Sequence, residues 1–201
     1  MAHVIRLDPS QEVPQWNKVS LRTRLKIKEH HDITDWFQLS DELSVQKCLA
    51  YIRALEEIVR QSIPATVICD PEHVDVRRDT GTLVMNKVMS DMLPLDAYDV
   101  IVVNPHEVLK KEPFEFRGSC CMLWTLNGAK KALKFAYPIE QCTDAFVNLM
   151  SRLGILNVTY VHVPEIRRKR FMHRKCQDSS WLAVLLLVLI GVLVYFSVSL
   201  N

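Results

Sequence analysis

The sequence predicts an α/β domain, a mixed sheet with helices on both faces, followed by one C-terminal transmembrane helix. Three stretches carry that reading. The runs ATVIC at 65–69 and VIVV at 100–103 are apolar without alternation, as strands covered on both faces are. Between residues 43 and 61, Val45, Leu49, Ile52, Leu55, Ile58 and Val59 recur at helical spacing, which makes one amphipathic helix. Residues 181–200, WLAVLLLVLIGVLVYFSVSL, hold no charge and no proline. Twenty residues at about 1.5 Å each cross a hydrocarbon core of about 30 Å.

In chain order, HVIRL at 3–7 reads as a strand stopped by Asp8 and Pro9, and 10–18 as a polar turn region. LRTRLKIK at 21–28 alternates apolar and basic residues and predicts a half-exposed strand. Residues 33–39, with Trp36 and Phe37, fit either a core-packing or a partner-contacting role. After the helix at 43–61 and the strand at 65–69, a helix is expected at 79–93 and a strand at 100–103. Residues 104–117 read as a charged, proline-punctuated loop. A strand at 119–124 follows, then helices at about 127–136 and 143–153 and a strand at 158–163.

Charge organises the end of the chain. Net charge is +2, and Arg167, Arg168, Lys169, Arg170, Arg174 and Lys175, with His173, form a basic collar that more than accounts for it. The domain is therefore slightly acidic, which argues against nucleic acid as a partner. The collar lies on the side that the positive-inside rule makes cytoplasmic, and such a cluster attracts anionic lipid headgroups. The sequence opens without an apolar signal segment, and only Asn201 follows the span. The expected layout is a domain at 1–165, a juxtamembrane collar at 166–180 and a tail anchor at 181–200, with the domain facing the cytosol. In that reducing compartment Cys48, Cys69, Cys120, Cys121, Cys142 and Cys176 should stay unpaired, and their spacing matches no zinc pattern. The sequon at Asn157 should carry no glycan.

Candidate chemistry lies at the end of the 65–69 strand, since open α/β sheets bind ligands beyond the carboxyl ends of their strands. Asp70 and Glu72 flank Pro71 there, with His73 and Asp75 close behind. Two carboxylates one residue apart can share a hard divalent cation, and such a cation can neutralise a departing diphosphate. Asp before Pro is equally a common turn.

A series of six blocks resembles the glycosyltransferase family of lipopolysaccharide and collagen galactosyltransferases. HVIRLD at 3–8 is similar to that family's opening strand, and LSVQKCLAYIRALEEI at 43–58 to its first helix, with Gln46 at a usual histidine. ATVICDPEHV at 65–74 is similar to its strand and acidic motif, which Pro71 interrupts here. YDVIVV at 98–103, FRGSCCMLWTLNGAKKAL at 116–133 and PIEQCTDAFVNLM at 138–150 follow in order. The resemblance implies a GT-A-like (Rossmann-like) fold, a UDP-sugar donor, and Mn2+ or another divalent cation. By position, Asp70 and Glu72 would be metal ligands and cofactor-binding residues, Gly128 with Ala129 would pack under the donor site, and Asp144 would be the catalytic acid.

The broken acidic motif and Gln46 imply impaired catalysis and a binding or structural role. The domain-plus-tail layout is also similar to poxvirus virion-membrane proteins with a glycosyltransferase-like domain, which implies an envelope location. Two alternatives stand beside this: an active metal-dependent hexosyltransferase, and a cytosol-facing membrane adaptor. The adaptor would use the polar face of the 43–61 helix, with Gln46, Arg53, Glu56, Glu57 and Arg60.

Overall fold

The computed structural model describes residues 3–28, 42–119, 121–167 and 169. The expected anchor at 181–200, the collar beyond Lys169, the aromatic pair at 36–37, Cys120 and Cys176 lie outside the described residues. Among the described residues, no helix is long and apolar enough to cross a membrane. The described residues belong to one compact unit.

Five strands build one mixed sheet. β1 (His3–Arg6) lies parallel to β2 (Ala65–Cys69), which pairs antiparallel with β6 (Cys121–Thr125). β6 also pairs antiparallel with β3 (Val100–Val103), and β3 lies parallel to the edge strand β7 (Val158–Val161). The order is β1-β2-β6-β3-β7. The carboxyl ends of four strands therefore share one edge of the sheet with the start of β6.

Successive strand side chains point to opposite faces, and both faces are covered. Ile68, Val100, Val102, Met122 and Trp124 pack under α2 (Glu42–Arg60), α4 (Leu126–Leu133) and α5 (Thr143–Arg152). Val67, Cys69, Ile101, Val103, Cys121, Leu123 and Val161 face Val84 and Val88 of α3 (Thr80–Ser90), with Val74, Val163 and Ile166. The absence of alternation in ATVIC and VIVV is the signature of this double cover. A smaller cluster of Val19, Val45, Cys48, Leu49, Ile52, Ala136 and Ile139 ties the amino-terminal segment to α2. Cys48, Cys69 and Cys121 are buried and Cys142 half-buried, and no disulfide joins them among the described residues.

Two sequence expectations are overturned. Residues Leu21–Lys28 form a helix, α1, rather than a strand. Ser20 Oγ accepts the Thr23 amide at 3.2 Å and starts the turn, and Arg, Leu and Lys are good helix formers. The alternation is also broken at Thr23, which is buried, while Leu21 and Leu25 are exposed. Residues 104–117, read as a loop, hold the hairpin β4 (Glu107–Lys111) and β5 (Phe114–Arg117). Phe114 and Phe116 are buried, and Asn148 of α5 clamps the Phe116 backbone. Its Oδ1 accepts the amide at 3.0 Å, and its Nδ2 donates to the carbonyl at 2.7 Å. Arg152 of α5 pairs with Glu115 at 2.8 Å, which fixes the other side of the strand.

Candidate functional site

The turn after β2 is closed by its own side chain. Asp70 Oδ1 accepts the Glu72 amide at 2.9 Å, and the His73 and Val74 amides donate to the Asp70 carbonyl. Asp70 Oδ2 lies 2.6 Å from His73 Nδ1. Lys47, on the first turns of α2, brings its ammonium 2.5 Å from Glu72 Oε2 and 3.9 Å from Asp70 Oδ2. Burial pushes the Asp70 carboxyl up, but the hydrogen bond and charge of His73, the Glu72 amide and Lys47 together hold it below its ordinary value.

The two carboxylates assigned to a cation thus already share one, and that cation is a lysine. Asp70 spends one oxygen on a backbone amide and the other on an imidazole. These residues do not fit a divalent metal, which needs several oxygen ligands pointing at one centre. Among the described residues, no group of three His, Cys, Asp or Glu is placed to hold a metal ion.

Asp144 stands in the first turn of α5. Its Oδ1 accepts the Ser119 hydroxyl at 2.8 Å and its Oδ2 the Ser119 amide at 3.2 Å. Ser119 precedes β6, whose first residue Cys121 pairs with Cys69, so Asp144 shares a sheet edge with Asp70. Burial raises the Asp144 carboxyl, against the Ser119 hydrogen bonds and the charge of His73. His73 therefore feels carboxylates from two elements.

Gly128 does not join them. It lies in α4, beyond the far end of β6, and packs on the Asp99 carbonyl just before β3. Five residues of strand at about 3.4 Å each separate that end from Asp70. Gly128 donates its amide to the N-cap hydroxyl of Thr125 at 3.1 Å, and Asp99 takes Lys131 at 2.7 Å and the Asn157 amide at 2.9 Å. This is a structural corner of the fold, not part of the Asp70 site.

A cavity of about 100 Å³ opens between α2, the 135–141 segment and α5. Tyr51, Ile52, Trp124, Phe135, Phe146 and Met150 supply most of its apolar wall, and Asp70, Glu72 and Asp144 take no part in it. Tyr51 and Trp124 meet edge-on at 6.1 Å, with the indole N–H donating to the Tyr51 hydroxyl at 2.6 Å. Burial pushes the thiols of Cys48 and Cys142 up to about 12 and about 11, so neither is a ready nucleophile.

Sequence reasoning missed Lys47 and Ser119. Lys47 lies one residue past Gln46, on a turn whose chemistry shows only once α2 crosses the end of β2. Ser119 stands at the start of the expected strand 119–124, where nothing in the sequence marks it as a partner of Asp144. Comparison with protein-family models, curated proteins and solved structures returns no match.

Proposed function

We propose that this chain is a membrane-anchored protein built on a glycosyltransferase-like α/β domain that has lost metal-dependent transfer and acts by binding or as a structural component. The domain faces the cytosol, and the charge-free run at 181–200 crosses the bilayer behind the basic collar. An envelope location agrees with that layout.

One observation supports the loss of transfer above the others. The Lys47 ammonium bridges Glu72 and Asp70, where a metal-dependent transferase would need a divalent cation. A monovalent, strongly hydrated ammonium cannot present open coordination positions to a diphosphate. His73 on Asp70 and the Ser119 clamp on Asp144 engage the remaining acids of the edge.

Titration calorimetry of the full chain in detergent, with Mn2+ and UDP-sugars, tests the reading. No heat of Mn2+ binding and no release of UDP are expected. Manganese-dependent release of UDP that disappears in Asp70→Ala would replace this reading with an active hexosyltransferase.

A further inference from the structure

We infer that α1 and the adjoining 134–140 segment form a second membrane contact, a cationic surface that lies against an anionic lipid bilayer. This rests on the anchor proposed above and adds to it a defined face of the domain. α1 is held by its polar, inward side: Thr23 is buried and donates to the Glu140 carbonyl at 3.2 Å. Its outward side carries apolar groups. Leu21 is 63% exposed and Leu25 48%, and at i and i+4 they share one face. At about 100° per residue, Arg22 and Arg24 flank that face on opposite sides. Both arginines are exposed, and among the described residues no carboxylate pairs with either.

The neighbouring strip repeats this chemistry. Val19 bridges to Ile139, and the Ile139 amide donates to the Lys18 carbonyl at 2.7 Å, so residues 18–20 run beside 139–140. Phe135 is 47% exposed and Tyr137 38%. Lys18 lies over the Tyr137 ring at 4.8 Å and reaches its hydroxyl at 3.3 Å. Across 18–25 and 134–140 the chain carries Lys18, Arg22, Arg24 and Lys134 against the single acid Glu140. Exposed leucines and aromatics ringed by cations suit the headgroup layer, where apolar groups enter and basic side chains snorkel to phosphate.

Chain length selects the bilayer as occupant. The last described residue, Lys169, is fixed at the carboxyl edge of the sheet, its amide on the His73 carbonyl and its Nζ on the Pro71 carbonyl. From there Glu72 contacts Lys47 of α2, the adjacent Cys48 contacts the Gln141 carbonyl, and the neighbouring Glu140 carbonyl holds α1. The exit point and α1 thus flank the same turns of α2. Only residues 170–180 separate Lys169 from the span, a reach of about 40 Å at most. On a domain that the span holds at the bilayer, a cationic, apolar-tipped face meets lipid at high local concentration.

The test is hydrogen exchange of the full chain in nanodiscs of phosphatidylcholine alone and of phosphatidylcholine with phosphatidylserine. Slower exchange over 21–28 and around Tyr137 is expected only in the anionic discs. Each cation contributes about a fivefold factor, so Arg22→Gln with Arg24→Gln should reduce the added protection about 25-fold. Gln keeps helix propensity near that of Arg, so the helix itself should persist. Equal exchange in both discs overturns the proposal. So does protection that follows the number of protein copies per disc instead of lipid charge, which would make this face a self-contact. Alkaline carbonate extraction separates the two readings. Resistance with equal exchange would sink the helix contact and leave the anchor, whereas extraction with charge-dependent protection retained on vesicles would do the reverse.

Discussion

A β-carbon built on Gly128 would stand 2.2 Å from the Asp99 carbonyl oxygen. Real atoms do not approach so closely, and the obstacle is backbone. Gly128→Ala must therefore push α4 off the end of the sheet, where Thr125, Lys131 and Asn157 also converge on Asp99. The expected cost is about 3 kcal/mol, at the upper end for overpacking, read as a lower urea midpoint with an unchanged slope. A variant as stable as the parent would show that the corner is slack.

Lys47→Met should convert the edge from closed to open. The substitution keeps the aliphatic stem and removes the ammonium that bridges Asp70 and Glu72, while the His73 imidazole stays on Asp70 and Lys169 stays on the Pro71 carbonyl. Mn2+ should then bind measurably by calorimetry, where the parent gives no signal. If Lys47→Met also binds no metal, the lysine is a bystander and the splay of the carboxylates is what bars the ion.

The two acids of this edge should give pH slopes of opposite sign. Asp70 is held below its ordinary 3.8 in the fold. Its contribution is complete above pH 3.8 and is lost as pH falls through the lower native value. Asp144 is raised by burial. The native state binds its proton more tightly than the unfolded chain does, so its contribution is largest below 3.8 and falls as pH rises through the native value. Asp70→Asn should therefore lose more stability at neutral pH than in acid. Asp144→Asn should compare better with the parent at neutral pH than in acid. Urea unfolding across pH 3 to 7 checks both, and slopes of the same sign would contradict the assignment.

The layered part of the fold is readable because burial on two faces leaves one kind of mark. VIVV has no polar residue and ATVIC only the fully buried Thr66, so neither alternates, and the spacing from Val45 to Ile58 is that of a helix face. LRTRLKIK failed for a physical reason: its alternation is broken at Thr23, which is buried, and its leucines also fit an i, i+4 face. The site was legible by residue type but not by pairing. Asp70 and Glu72 stand at a strand end as expected, yet what neutralises them comes from Lys47, 23 residues before Asp70. No local pattern encodes that meeting, because it depends on where α2 crosses the sheet. Gly128 illustrates the converse, a residue singled out for a ligand whose small size serves the Asp99 backbone.

The β4–β5 hairpin escaped notice because Glu107, Lys110, Lys111, Glu112 and Glu115 crowd its sequence, while only Phe114 and Phe116 mark a buried side. Its attachment depends on Asn148, which is 4% exposed and satisfies both polar groups of the Phe116 backbone. Asn148→Ala strands a buried N–H and a buried C=O together. At about 1–3 kcal/mol for each unsatisfied group, the loss should be about 2–5 kcal/mol. Asn148→Asp retains the acceptor for the amide but sets a carboxylate oxygen against the carbonyl, so it should do no better. β4 and β5 form their own two-stranded sheet, so although Phe114 stacks on Tyr160 of β7 at 5.2 Å, the hairpin should detach without unfolding the five-stranded sheet. Hydrogen exchange in Asn148→Ala would then show faster exchange over 107–117 than over 100–103. Uniform acceleration of both would mean that the hairpin and the sheet unfold as one unit.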